Sequence, residues 1–139
     1  MDLKIFVDGG SRGNPGNSAI GVAVYDGAGK LIEEYKKYIG IATNNVAEYE
    51  ALIAALELAR KYNPGVLTVC IDSELIYNQM LGNYKVKNEN MLACFQRAQA
   101  ALEDLKSVKF VSIPREDNKV ADKLVNQALN IAETLNKTV

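Results

Sequence analysis

Residues 4–26 read KIFVDGGSRGNPGNSAIGVAVYD. An apolar run, Ile5-Phe6-Val7, ends on an acid, Asp8. A glycine-rich segment, Gly9 to Gly16, follows, and a second apolar run begins at Ala19. The stretch predicts two strands, Leu3–Asp8 and Ala19–Tyr25, joined by a loop whose Asn14-Pro15-Gly16 marks a tight turn. It is not a P-loop, because no Gly-Lys-Ser/Thr follows. Nor is it a dinucleotide fingerprint, because a strand follows and not a helix. Glycines at 9, 10, 13 and 16 let backbone approach a ligand closely. Ser11, Arg12 and Asn14 stand beside Asp8 as ligands for phosphate and sugar.

Working outward, Asp26-Gly27-Ala28-Gly29 is turn chemistry. A third strand, Lys30–Ile39, carries a charged face (Glu33, Lys37) suited to a sheet edge. These three strands predict an antiparallel meander. Asn44-Asn45 opens a helix, whose apolar positions Val46, Tyr49, Leu52, Ile53, Leu56 and Ala59 recur at helical spacing as far as Lys61. Asn63-Pro64-Gly65 stops it. A strand over 66–71 ends on Asp72. A short helix spans 73–81, a longer one runs from about 88 to 105, and a strand covers 108–113. After the loop Pro114–Asn118, residues Ala121 to Leu135 form a final amphipathic helix. The second half alternates helix and strand, as right-handed crossovers between parallel strands do.

The 139 residues suit one domain, 1–139, and 48% are apolar, enough for a core without staples. A net charge of −1 names no partner, so a nucleic-acid ligand needs a local patch. No run approaches the ~18 apolar residues of a membrane span. The strand starting at Leu3 leaves no room for a targeting peptide, and Cys70 and Cys94 read as reduced thiols, so a cytoplasmic monomer is expected. Histidine is absent. This excludes a Ser-His-Asp triad or a Cys-His pair and argues against zinc chemistry.

Four acids sit at element ends. Asp8 and Asp72 end strands; Glu48 and Asp122 fall in the first turns of helices. Adjacent parallel strands bring their C-terminal ends to one sheet edge. That edge gathers Asp8 and Asp72, and helix starts above it add Glu48 and Asp122. Carboxylates so gathered repel unless a cation lies between them, and oxygen-only ligands favour Mg²⁺ or Mn²⁺. Each acid also has a plainer reading: Asp8 could simply end its strand and bond to the loop that follows. Asp72-Ser73 suits a helix N-cap, Glu48 follows Asn45 at capping-box spacing, and Asp122 could be solvated beside Lys119 and Lys123. Asn44 and Asn45 either cap their helix or bond 2′-hydroxyls and base edges in a minor groove.

Four blocks, FVDGGSRGNPG (6–16), TNNVAEYEALIAAL (43–56), VCIDSELI (69–76) and PREDNKVADKLVNQAL (114–129), resemble in order the active-site blocks of type 1 ribonuclease H. The resemblance implies an α/β fold: a five-stranded mixed sheet, order 3-2-1-4-5, strands one to three antiparallel, flanked by helices. It implies endonucleolytic cleavage of the RNA strand of an RNA–DNA hybrid with two Mg²⁺ or Mn²⁺ ions, leaving 5′-phosphate and 3′-hydroxyl ends. Asp8, Glu48, Asp72 and Asp122 match the family's catalytic, metal-holding carboxylates. Gly10, Ser11, Asn14, Asn44 and Asn45 match hybrid-contacting positions, with Arg12 and Ser73 as further candidates. A related fold acting on double-stranded RNA, or only binding nucleic acid, is the alternative. The chain departs from the family twice. No histidine occupies the loop 114–118, which implies lower turnover or an altered metal preference. The basic protrusion is replaced by the short link Gly82–Asn88, which implies weaker, more salt-sensitive hybrid binding; Lys85 and Lys87 there read equally as a small phosphate patch or as two solvated loop lysines.

Overall fold

The computed structural model describes residues 1–137. The chain runs β1 (Leu3–Gly13), β2 (Gly16–Asp26), β3 (Leu31–Ala42), α1 (Asn44–Arg60), β4 (Leu67–Ile71), α2 (Glu74–Met80), α3 (Glu89–Leu102), β5 (Val108–Ser112) and α4 (Lys119–Lys137), with a single 3-10 turn at Arg115–Asp117 before α4. The strands form one sheet in the order β3-β2-β1-β4-β5. β1, β2 and β3 pair antiparallel, while β4 pairs parallel with both β1 and β5. The meander, the crossovers and the strand order expected from the sequence are all present.

Period-two alternation assigns the two faces of β1. Leu3, Ile5 and Val7 are buried in the larger core, where Ile5 pairs across with Val24 and Val7 with Val22. That core is closed by Leu52, Ile53 and Leu56 of α1, Ile76 of α2, and Met91, Cys94 and Ala98 of α3. Phe6 and Asp8 lie on the opposite face, against which α4 packs through Val125, Ala128 and Leu129 around Ala19. Both cysteines are buried and free. No helix among the described residues is long and apolar enough to cross a membrane.

The glycine segment departs from expectation. Instead of a loop over 9–16, β1 continues to Gly13 and β2 begins at Gly16, so only Asn14 and Pro15 turn the chain. The glycines serve close packing here. A Cβ on Gly9 would lie 2.2 Å from the Ala47 carbonyl oxygen of α1, and one on Gly21 would lie 2.3 Å from the Ala121 carbonyl oxygen of α4. Both helices therefore approach the sheet at backbone distance, one on each side of Asp8.

Candidate active site

The β1–β4 register ends at Val7 opposite Ile71, so Asp8 and Asp72 are the next residues of adjacent parallel strands. Their carboxylates emerge together at the sheet's edge. Glu48 arrives from α1, but not from its first turn as expected. Thr43 is the N-cap, and its hydroxyl accepts from the Val46 amide, so Glu48 falls in the second turn. With Thr43 capping, Glu48 has no capping duty. Ser73 caps α2 by accepting from the Ile76 amide, leaving Asp72 free of that role. Asp122 stands in the first turn of α4, as expected.

These four carboxylates line one cavity of about 170 Å³. Asp8 is 8% exposed. Burial, then the charges of Asp72, Asp122 and Glu48, push its carboxyl up to about 8 against the opposing pull of Arg115. Burial pushes Glu48 up to about 7; the Ser73 hydroxyl bonded to it pulls the other way, Asp72 adds to the rise, and Arg115 opposes it. The cleft thus carries more negative charge than its own cation neutralises.

The remaining expected residues divide. Gly10, Ser11, Arg12 and Asn44 line the same cavity. Ser73 lies with Asp8, Glu48 and Asp72 around a smaller adjoining cavity. Asn14 and Asn45 do not line the cleft. Asn14 instead ties the hairpin turn to the helix: its Oδ1 accepts from the Asn44 amide, and the Asn44 Oδ1 accepts from the Ser11 amide at 2.8 Å. The Arg12 guanidinium reaches α4, pairing with Glu133 at 2.8 Å and donating to the Asn126 Oδ1 at 3.2 Å.

Two residues were not singled out from the sequence. Arg115, in the 3-10 turn, lines the cavity and is the cation facing Asp8 and Glu48. Asn118 is buried behind the carboxylates, 1% exposed. A basic residue in the loop just before the fourth acid was the available signal for Arg115. Nothing local distinguishes Asn118 from a loop asparagine.

The donor set fits a hard divalent cation: oxygen ligands only, carrying surplus negative charge, in an open cleft with room for further oxygens. Among the described residues, no three Cys, Asp or Glu side chains stand close enough together to hold a metal ion by themselves, so the four acids line the cleft without forming a ready-made ligand cluster.

Gly9 tests how tightly this geometry is built. Gly9→Ala places a methyl against the Ala47 carbonyl and the Glu48 amide. It is expected to destabilise the fold by ~1–3 kcal/mol, through overpacking of helix backbone against strand backbone. Activity falls with it, since the displaced helix carries Glu48. Thermal melting checks the first effect; a melting point equal to the parent's would show that α1 has slack at this contact.

Comparison with known proteins finds similarity across nearly the whole chain. A family profile described as reverse transcriptase-like matches residues 6–128. The bifunctional protein Rv2228c of Mycobacterium tuberculosis is 41% identical over 133 residues, covering 95% of this chain and 36% of that protein. The chain thus spans about a third of the length of the mycobacterial proteins it matches. The crystal structure of RNase H1 from Halobacterium salinarum superimposes with a TM-score of 0.91 at 36% identity, covering 94% of this chain and 98% of that one. LC11-RNase H1, solved in complex with an RNA/DNA hybrid, gives a TM-score of 0.90 at 44% identity, with the same coverage of the two chains. Four acid-bearing blocks in order, the strand order they require, and these similarities across nearly the whole chain make it a member of the type 1 ribonuclease H family.

Proposed function

We propose that this chain is an endoribonuclease that hydrolyses the RNA strand of RNA–DNA hybrids with two Mg²⁺ or Mn²⁺ ions, leaving 5′-phosphate and 3′-hydroxyl ends. The observation that carries the reading is the gathering of Asp8 within β1, Asp72 at the end of β4, and Glu48 and Asp122 from two helices, around one cleft. Carboxylates turned toward a polyanion repel it, so such a cleft suits nucleic acid only with cations between them. A family relative at 44% identity solved with an RNA/DNA hybrid supports the substrate class.

Asp8, Glu48, Asp72 and Asp122 are the residues that would hold the metal. When bound, divalent ions activate the attacking water and stabilise the leaving 3′-oxygen. Asp8 is central, because burial and three acidic neighbours make its charge the most in need of a cation. Glu48 faces the same cleft with its carboxylate restrained by the Ser73 hydroxyl; the resemblance to ribonuclease H implies that it would also help read the RNA strand at a 2′-hydroxyl. Arg115 supplies positive charge that opposes the crowding at Asp8 and Glu48, in the loop where many family members carry histidine. Ser11 and Asn44, joined to one another at the rim, present polar groups to the substrate backbone. Arg12 is held by Glu133 and Asn126, so it takes part in binding only by exchanging those partners.

A gel assay tests the reading. Labelled RNA–DNA hybrid, double-stranded RNA, double-stranded DNA and single-stranded RNA are incubated with Mg²⁺, Mn²⁺ or EDTA. Metal-dependent cutting confined to the RNA of the hybrid is expected. Equal cutting of double-stranded RNA would overturn the substrate assignment, and hybrid binding without cutting would reduce the chain to a binding module.

A further inference from the structure

Asn118 is an unusual residue to bury. Its Nδ2 donates to the Val7 carbonyl oxygen at 2.8 Å and to the Asp72 Oδ2 at 2.8 Å. Both partners are acceptors, so the amide nitrogen must face them; turned over, its oxygen would oppose a carbonyl and a carboxylate. The consequence is that Oδ1 is buried with no hydrogen-bond partner. Burying an unpaired acceptor is unfavourable, and an apolar side chain of similar volume would avoid it.

The backbone of the same residue adds two contacts. Its amide donates to the Arg115 carbonyl at 3.0 Å, and its carbonyl accepts from the Asp122 amide at 3.1 Å. One residue therefore touches Asp72 directly, the residue before Asp8, and the backbone of both Asp122 and Arg115. It does so where the β1–β4 register has just ended, so strand pairing no longer holds Asp8 and Asp72 in line.

We propose that Asn118 is a positioning residue for the metal-holding carboxylates. By occupying the Asp72 Oδ2 and pinning the Val7 carbonyl, it fixes the Asp72 carboxylate relative to the backbone that carries Asp8, so that the two acids would serve one divalent ion together. This inference rests on the metal-dependent reading above. Polar groups behind metal ligands fix the orientation of those ligands, and losing one typically lowers metal affinity or activity by 10–100-fold.

The test compares the full chain with Asn118→Leu, which deletes the amide at similar size, and Asn118→Ser, which shortens it. Mn²⁺ alone is titrated calorimetrically into each protein, and melting is followed in EDTA. The Mn²⁺ concentration giving half-maximal hybrid cleavage is measured alongside KM for the hybrid. Both variants are expected to bind Mn²⁺ about 10–100-fold more weakly, to need correspondingly more Mn²⁺ for cleavage, and to keep KM within about threefold. If Asn118→Leu does not fold, Asn118→Ser is judged by the same readouts. Unchanged Mn²⁺ affinity in a folded variant, whatever its melting point, would overturn the proposal. So would failure of both variants to fold, which would assign Asn118 to the fold alone. A parent protein that binds no Mn²⁺ would instead sink the metal-dependent function, and this inference with it; a parent that binds Mn²⁺ and cleaves keeps the two questions separate.

Discussion

Asp8→Asn is expected to lower the turnover of hybrid cleavage by ~10³-fold or more, equivalent to about 4 kcal/mol of transition-state stabilisation. The substitution keeps the size of the side chain and removes only its charge. Asp8 sits among the other three carboxylates, so no neighbour can take its place without moving a strand end or a helix. Hybrid affinity in EDTA should hold at neutral pH, where Asp8 keeps its proton, and rise above about pH 8, where the variant removes a negative charge facing phosphates. That split, lost turnover with retained binding, separates a catalytic role from a folding defect. Turnover within tenfold of the parent would remove Asp8 from the catalytic centre.

The same variant should be the more stable protein when no divalent ion is present. The carboxyl of Asp8 is raised from 3.8 to about 8 in the folded chain, and that of Glu48 from 4.5 to about 7. The folded state therefore holds these protons at pH values where the unfolded chain has released them. Stability declines as pH rises from about 4, and the decline ends near pH 8, where Asp8 is ionised in both states. Each tenfold change in proton affinity is worth ~1.4 kcal/mol, so burying Asp8 costs roughly 4 kcal/mol at pH 7. Asp8→Asn removes most of that penalty. Its melting temperature in EDTA should exceed the parent's by about 5 °C or more at pH 8, with the gap closing toward pH 4. Comparing the two proteins cancels the carboxylates common to both, including Glu33, which its bonds to Lys61 and Tyr62 hold below the usual range. Adding Mn²⁺ should narrow the gap from the parent's side, since an ion that binds only the folded state stabilises it. A variant less stable than the parent at pH 8 in EDTA would contradict both the burial and the crowding of charge at Asp8. The two results together describe a cleft that gives up stability in order to concentrate charge.

The two variants differ in what they reveal about the scaffold. Asp8→Asn leaves the geometry in place and changes the electrostatics, whereas Gly9→Ala leaves the charges and moves a helix. Because residues 8 and 9 face opposite sides of the sheet, one substitution is felt toward α4 and the other toward α1. The site is thus held from both faces of β1 at consecutive residues.

Much of this was legible from residues alone. Alternation in Ile5-Phe6-Val7 and Val22-Ala23-Val24, and helical spacing from Val46 to Ala59, record which side of each element is buried. Burial periodicity is a local property, so element order and the meander could be read directly. The four acids could be gathered because each was read near an element end, and parallel strands share an edge; the structure keeps the gathering but carries β1 past Asp8 to Gly13 and sets Glu48 in the second turn of α1. What local pattern could not decide was how helices dock on strands. Gly9 to Gly13 read as loop because glycine weakens strands in isolation; they are strand because α1 and the hairpin require backbone without side chains there. Glu48 read as a first-turn residue because Asn45 resembles a cap; Thr43 takes that place, and Glu48 is left to the cleft. Arg115 and Asn118 acquire meaning only through partners distant in the chain, Asn118 reaching Val7 across 111 positions. The sequence by itself determined the elements, their order and the chemical class of the site, because those depend on composition and spacing within single elements. Only the tertiary structure decided which polar groups support the carboxylates and how far Asp8 is driven from ordinary acidity, because both depend on burial and charge contributed by several elements at one point in space.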